Sequence, residues 1–338
     1  MPISVFLPAL VGLLPVLCFL AALLYLDSYK LVKLRAIVAV IACGALAAGA
    51  SYLMNAVVLE HIAVEFDSFS RYVAPVTEEL LKGMLIVALI RSHRIGFLVD
   101  AAIFGFAIGT GFAMVENLYY LHLFPNARMG TWIVRGFGTA IMHGGATAIF
   151  SMMGLAMLDH ARSARWHAYL PGLVVAAMLH STFNHFFFSP IISTLGVFLV
   201  LPPLMYGAFA SSEKAVGSWL GKGFDADAEM LEQINAGRFS DSPVGRYLTT
   251  LKDRFQGPIV ADLLCYLRLY TELALRAKGV LMMRESGFEV PVDEATKEKF
   301  VEMRYLEGSI GKTGLMAIQP MLHMSHKDLW QLYMLRKQ

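Results

Sequence analysis

The chain has 338 residues, of which 57% are hydrophobic and only 16% charged, and its mean hydropathy is +0.58. Globular domains have about a quarter of their residues charged, so this composition argues against a secreted or other ordinary soluble enzyme. A net charge of +2 without a basic block argues against a nucleic-acid-binding protein. Three scattered cysteines argue against a disulfide scaffold and are expected to be small core residues: Cys18, Cys43 and Cys265.

The charged residues are distributed unevenly along the chain. Residues 1–210 contain 20 Asp, Glu, Lys and Arg residues, whereas residues 211–338 contain 34. About a tenth of the positions are therefore charged in the first part and about a quarter in the second, which is the usage of globular domains. We predict a transmembrane domain over residues 1–210 and a soluble, mostly helical cytoplasmic domain over residues 211–338.

A transmembrane helix needs about 20 apolar residues to cross a hydrocarbon core of about 30 Å. Seven apolar runs precede the soluble part: residues 4–26, 36–58, 75–90, 96–121, 131–158, 168–189 and 191–210. The predicted fold is therefore all-α, a polytopic transmembrane helical bundle of about seven spans. A bundle of six spans, in which the last two runs form one broken helix across Ser189 and Pro190, is the alternative.

Basic residues in the short loops indicate the orientation of the bundle, because they are enriched on the cytoplasmic side. The first, third and fifth loops contain seven of them: Lys30, Lys33, Arg35, Arg91, Arg94, Arg162 and Arg165. The opposite loops contain three: Arg71, Arg128 and Arg135. The N-terminus is therefore predicted outside and the C-terminal domain in the cytoplasm.

Ionisable side chains inside a membrane helix cost at least about 2.5–3.5 kcal/mol each, so those that do occur mark functional sites by default. Four of the predicted spans contain such residues or amides: Glu78, Glu79 and Lys82; Glu116 and Asn117; His143; and His180, Asn184 and His185. Counted at about 1.5 Å of rise per residue, most of them fall in the outer half of the bilayer. We therefore predict one common functional site built from four helices.

Simpler roles remain open for some of these residues. Asn117 and His185 are expected to form hydrogen bonds between helices. Glu78 and Glu79 could instead stabilise the N-terminus of their helix through its dipole. In the fourth run a stripe of small residues would allow close packing of a neighbouring helix: Ala101, Gly105, Gly109 and Ala113. Glu116 lies along the edge of this stripe, so it is expected to face protein rather than lipid.

The residue types favour hydrolysis of an amide bond inside the membrane. Two adjacent carboxylates in a low-dielectric site are not both ionised comfortably, so one is suited to take a proton from water and pass it to a leaving amine. Lys82 would hold the other carboxylate charged. His180 and Asn184, one helical turn apart, could donate hydrogen bonds to the oxyanion that forms when water attacks a carbonyl.

The order of the motifs resembles the PrsW family of intramembrane proteases, within the wider group that contains the CAAX prenyl endopeptidases. Four motifs carry the resemblance: EExxK (Glu78, Glu79, Lys82), FxxxE (Phe112 to Glu116), a histidine in the next span (His143) and HxxxN (His180 to Asn184). The sequence around these motifs also resembles that family, including the segments LYLDSYKLVKLR and IGFLVDAAIFGFAIGTGFAMVENLYY. The resemblance covers about residues 10–210 and does not extend to the C-terminal domain.

The resemblance implies a role for each motif residue. Glu78 matches the water-activating base of the prenyl endopeptidase group, and Glu116 occupies the place of a histidine that assists the water. His180 and Asn184 match the oxyanion donors.

Glu79 and Lys82 match a structural carboxylate–base pair, although the prenyl enzymes have an arginine one position later. This departure and the glutamate at position 116 argue against processing of prenylated proteins. The resemblance implies instead site-1 cleavage of a single-span membrane protein such as an anti-sigma factor, on the outer side of a bacterial cytoplasmic membrane.

A metal-free glutamate mechanism is favoured, because no spacing in the sequence is diagnostic of zinc. Zinc is the alternative, since five side chains carry suitable ligand groups: Glu78, Glu79, Glu116, His143 and His180. The residues alone also leave open a transporter and a non-catalytic scaffold that binds transmembrane helices, although no internal repeat typical of transporters is found.

The C-terminal domain shows no motif for chemistry. Apolar residues recur at helical spacing through residues 259–283, and a second helical patch lies near 294–307. A polar, Gly-rich segment over residues 223–245 precedes them. We expect this domain to serve packing, homo-oligomerisation or regulation, with no nucleic-acid partner.

Overall fold

In the computed structural model of the chain, every regular element of the described residues is helical. The structure describes residues 3–62, 64–160, 166–288, 290–322 and 326–336. By its internal contacts the chain divides into two compact units, residues 1–213 and residues 214–338. Arg162 and Arg165, which contributed to the predicted orientation, lie outside the described residues.

All seven predicted apolar runs are helical. The first eight α-helices and the start of the ninth belong to the first unit: α1 Ile3–Tyr25, α2 Leu34–His61, α3 Phe66–Ser68, α4 Ala74–Arg91, α5 Leu98–Leu123, α6 Met129–Ile133, α7 Ala140–His160, α8 Leu170–His185 and α9 Pro190–Asn235. A π-helical segment, Phe69–Val73, leads into α4, and another, Val134–Thr139, joins α6 to α7. The last two apolar runs lie in separate helices, since α8 ends in a left-handed turn at Phe186 with φ 44°.

Five stretches of the described residues are long and apolar enough to cross a membrane: Phe6–Tyr25, Leu34–His61, Leu98–Leu123, Met129–Asp159 and Pro190–Asn235. The other two predicted spans, which correspond to α4 and α8, are not among these stretches. Helix α4 contains four charged residues, and α8 has only 16 residues, fewer than a bilayer core needs. The span number and the orientation therefore stay predictions.

Helix α5 is the centre of the first unit, because its small residues allow neighbouring backbones to approach closely. The predicted stripe is confirmed as buried from Ala101 to Ala113. A methyl group added to Gly109 would overlap the backbone of α7, and one added to Gly111 would overlap the backbone of α2. Both helices therefore pack directly on α5, and α7 brings His143 towards the glutamate of α5.

The expectation that the cysteines are core residues is wrong. Cys18, Cys43 and Cys265 are all exposed. The first two lie on the outer faces of α1 and α2. In a membrane protein an apolar run does not distinguish a face that packs on protein from a face that contacts lipid, since both are apolar.

Among its described residues, the second unit contains the end of α9 and four further α-helices: α10 Pro243–Leu251, α11 Gly257–Glu285, α12 Glu294–Ile318 and α13 His326–Arg336. The helical patches predicted at 259–283 and 294–307 are confirmed and lie in α11 and α12. The first part of the polar segment at 223–245 is also helical. Helix α9 continues through it to Asn235, because this part contains strong helix formers such as alanine, glutamate and methionine. A buried ion pair joins Lys278 Nζ to Asp227 Oδ2 at 2.5 Å within this unit.

Candidate active site

The structure brings six of the predicted site residues into one connected polar network, which we call the glutamate–histidine network. Its members come from four helices: Glu78, Glu79 and Lys82 from α4, Glu116 from α5, His143 from α7 and His180 from α8. Phe112 packs beside it, with its ring centroid 5.1 Å from that of His143. The four-helix origin agrees with the spacing argument made from the sequence.

Glu79 lies at the centre of this network and is fully enclosed. Its Oε1 atom accepts hydrogen bonds from Lys82 Nζ at 2.5 Å and from His180 Nδ1 at 3.0 Å. Thr147 Oγ1 donates to Oε2 at 3.4 Å. Glu79 is 2% exposed and Lys82 is 0% exposed, so protein encloses both side chains. Glu79 therefore serves as the anion that orients Lys82 and His180.

The partners of the two histidines assign their ring protons. His180 donates from Nδ1 to Glu79, so a neutral ring presents the lone pair of Nε2, which lies 3.8 Å from Glu78 Oε2. His143 accepts at Nδ1 from the ammonium of Lys82 at 3.1 Å. Its Nε2 therefore carries the proton and donates to Glu116 Oε2 at 2.9 Å. The two neutral imidazoles therefore carry their proton on different nitrogens, His180 on Nδ1 and His143 on Nε2.

Glu78 is the least restrained carboxylate of the network. Its side chain is 16% exposed. Asn55 Nδ2 donates to its Oε1 at 3.4 Å, and Asn55 is itself held by the hydroxyl of Thr77 at 2.5 Å. In the described part of the chain, no lysine or arginine forms an ion pair with Glu78. It is therefore the carboxylate of the network that is held by the weakest contacts. Sequence reasoning missed Asn55, which looks like an ordinary polar residue within an apolar run.

Glu116 is held from two sides. His143 contacts one carboxylate oxygen, Oε2, and the guanidinium of Arg135 lies 3.1 Å from the other oxygen, Oε1. Arg135 was counted among the loop residues although the predicted run 131–158 contains it; in the structure it belongs to the π-helical segment before α7, and its side chain is only 13% exposed. A basic residue close to the end of an apolar run is not distinguishable from a loop residue by sequence alone. Glu116 faces protein, as predicted.

Asn184 lies outside the hydrogen bonds of the network. Its amide donates to the backbone oxygen of Ser70 at 3.0 Å, in the π-helical segment before α4. This bond ties α8 to the start of α4, and one N–H of the amide remains for another acceptor. His185 was predicted to bond between helices, but its Nδ1 contacts Ser181 O in its own helix and its ring packs edge-on against Tyr72.

The donor set of the network suits a divalent metal. Glu78, His143 and His180 each offer one ligand atom, and these atoms lie within 4.8 Å of one another. One carboxylate and two imidazoles is a donor set of catalytic zinc sites. Glu79 orients His180 through Nδ1 and leaves Nε2 for a metal, which is the usual carboxylate–histidine arrangement. His143 would have to give up its hydrogen bond to Glu116 in order to ligate.

A cavity of about 950 Å³ lies beside Arg135, which contacts Glu116 of the network. Its walls are mainly apolar and come from α5, α6, the π-helical segment before α7 and the start of α9. Tyr120 and Arg135 lie at the side that contacts Glu116. The cavity is therefore large enough to admit a small molecule or a peptide segment next to the network.

Comparison with known proteins supports the resemblance seen in the sequence. Residues 32–208, more than half of the chain, match the family model described as PrsW family intramembrane metalloprotease. All members of the glutamate–histidine network lie within this range. No similarity was found to a curated protein or to a solved structure.

Proposed function

The chain belongs to the PrsW family of intramembrane proteases, and we propose that it cleaves its substrate with a water molecule activated by Glu78. The proposal depends above all on the difference between the three glutamates. Glu79 and Glu116 each form an ion pair with a lysine or an arginine, at 2.5 and 3.1 Å, whereas Glu78 is held only by longer contacts of 3.4 and 3.8 Å.

In this mechanism Glu78 takes a proton from water as the water attacks the carbonyl, and then gives the proton to the leaving amine. The oxyanion that forms needs hydrogen-bond donors. His180 Nε2, which lies 3.8 Å from Glu78 Oε2, is the first candidate donor when it carries a proton. The free N–H of Asn184 is the second candidate donor.

The description of the family as metalloproteases and the cluster of three ligand atoms favour a second version of the same function. Glu78 and His180 would hold zinc, with His143 as the third ligand. A bound zinc ion supplies a Lewis acid and a water of lowered pKa. Glu116, whose side chain is 26% exposed, is then the carboxylate left to accept a proton.

The proposed substrate is a single-span membrane protein, such as an anti-sigma factor, cleaved at site 1 in the outer half of a bacterial cytoplasmic membrane. The basic residues of the first and third loops support this orientation, since they place the opposite ends of the helices outside. We further propose that residues 214–338 lie in the cytoplasm and serve packing or homo-oligomerisation.

The test is cleavage of a tagged single-span substrate by the purified protein in liposomes. We expect Glu78→Gln to lower kcat by about 10²–10⁴, the usual contribution of a general base. Glu60→Gln is the matched control, because Glu60 is exposed and lies outside the network. Hydrolysis that is unchanged by Glu78→Gln would contradict the glutamate mechanism.

Metal content separates the two versions. The zinc version predicts that a chelator abolishes cleavage, that zinc restores it, and that Glu78→Gln and His180→Ala each lower the zinc bound per protein. The metal-free version predicts cleavage that is insensitive to chelator. Ion flux without hydrolysis would point to a transporter, and substrate capture without hydrolysis to a scaffold.

A further inference from the structure

Arg135 connects the network to the surrounding fold through several contacts. Besides the ion pair with Glu116, its Nε donates to Asn117 Oδ1 at 2.9 Å. Its guanidinium also lies over the ring of Tyr120, 3.7 Å from the centroid. Asn117 is itself anchored, because its amide donates to Gly12 O of α1 at 2.7 Å. The guanidinium is therefore held on three sides and presents a charged edge to Glu116.

The π-helical segment before α7 explains why Arg135 reaches Glu116. In a regular α-helix, Arg135 and His143, eight residues apart, would point in directions about 80° apart. A π-turn takes up one additional residue, so the two side chains align as if seven residues apart, within about 20°. Arg135 and His143 can thus contact the two oxygens of the same carboxylate.

The position of this segment is set by close packing. A methyl group added to Gly136 would overlap the backbone oxygen of Val11 in α1. The residue after Arg135 therefore lies directly against a neighbouring backbone, which limits rotation of the segment. Such π-turns are frequent at functional sites.

We propose that Arg135 is a positioning residue for proteolysis, which holds the carboxylate of Glu116 in the orientation that His143 requires. The inference rests on the metal-free version of the proposed function, because in the zinc version His143 would give up its hydrogen bond to Glu116. Without the guanidinium, Glu116 can rotate away from His143. The imidazole then loses the acceptor of its Nε2 proton, and the contact from His143 to Lys82 is no longer fixed.

The first experiment compares Arg135→Gln, Arg135→Lys and the control Arg128→Gln in the liposome cleavage assay. Arg128 lies near the same helix and is exposed. We expect Arg135→Gln to lower kcat by about 10–100-fold with little change in KM, because a misplacement of about 1 Å in a catalytic site can cost about 10²-fold. Lysine should restore part of kcat, because it can pair with Glu116 but cannot also donate to Asn117.

Two further measurements separate positioning from a general structural role. In a Glu116→Gln background, Arg135→Gln should cause little further loss, because the two residues act as a unit. Guanidinium ion at non-denaturing concentration should restore cleavage by Arg135→Ala in a saturable manner, since the cavity of about 950 Å³ opens beside this side chain. The wild type should not respond.

The inference is overturned if Arg135→Gln cleaves like wild type while Glu78→Gln is inactive, or if the losses from Arg135→Gln and Glu116→Gln multiply independently. If the wild type itself does not cleave, the proposed function fails, and the contact is tested by thermal unfolding instead. Non-additive shifts of Tm in the Arg135→Gln and Glu116→Gln cycle support the contact, and additive shifts contradict it.

Discussion

Replacement of Lys82 by methionine would leave the carboxylate of Glu79 without its nearest cation in a site that water does not reach. The ammonium has three partners: Glu79 at 2.5 Å, His143 at 3.1 Å and the ring of Phe112, whose centroid is 4.6 Å away. Methionine is also unbranched and has a similar volume, although it is one heavy atom shorter than lysine, so the change removes mainly charge and hydrogen bonds.

The expected magnitude follows from the separation of the two charges. At 2.5 Å and an effective dielectric constant of about 20, the attraction is about 6–7 kcal/mol. Desolvation of both groups offsets part of it, and loss of one partner of a buried pair typically costs about 3–5 kcal/mol. For a unit of this size we expect Tm to fall by about 6–20 °C.

The assay is thermal unfolding in detergent of Lys82→Met, of the double variant Glu79→Gln with Lys82→Met, and of the control Lys252→Met. The double variant removes both charges and should regain most of the lost stability while remaining inactive, because replacement of a whole buried pair is often nearly neutral. Lys252 is exposed, so its variant should unfold like wild type. If Lys82→Met also unfolds like wild type, or the double variant is less stable than the single one, the buried pair is not charged as inferred.

Two further predictions concern packing and pH. Gly109→Ala should lower stability by about 1–3 kcal/mol and reduce cleavage, because the methyl group would overlap the backbone oxygen of His143. Gly49→Ala, which meets no atom within 4 Å, should be neutral or slightly stabilising, and equal unfolding of the two variants would contradict the packing argument. In the second unit, hydrogen bonds from Thr296 lower the pKa of Asp293, which caps α12. The stabilisation is therefore full above the ordinary aspartate pKa of about 3.9 and is lost as pH falls through the lower folded value. The protection factors of the amides in α12, which correct for the intrinsic exchange rate at each pH, should fall on acidification in the wild type. Asp293→Asn, which keeps the cap but does not titrate, should lack this component, and an identical pH dependence of the two proteins would exclude it.

The members of the network were predictable because charged residues are rare in the first 210 positions. Each of Glu78, Glu79, Glu116 and His143 stands out against an apolar background, and the cost of burying such groups makes accidental placement rare. The ordered motifs also indicated the PrsW family, which the family match confirms.

The functions of the individual glutamates were harder to predict. Glu78 and Glu79 are adjacent in sequence, yet one is partly exposed and the other is surrounded by three donors. Consecutive residues point about 100° apart on a helix, so which one turns inward depends on how α4 packs against α7 and α8.

The contact between Arg135 and Glu116 could not be predicted from the sequence either. Composition and spacing place it at the edge of an apolar run, where a loop is the simplest interpretation. A single π-turn changes the direction of its side chain and brings it to Glu116, 19 residues away in sequence. Such a turn depends on the close contact of Gly136 with α1, which no local pattern contains.

The sequence by itself determined that this protein has an apolar helical part, that this part contains a few carboxylates and imidazoles, and that their order resembles a protease family. It could do so because apolar length and the cost of buried charge are properties of residue type. Only the tertiary structure decided which glutamate is enclosed, which ring nitrogen carries each proton and which arginine supports Glu116. These depend on distances of about 3 Å between side chains of different helices, and such distances are set by packing.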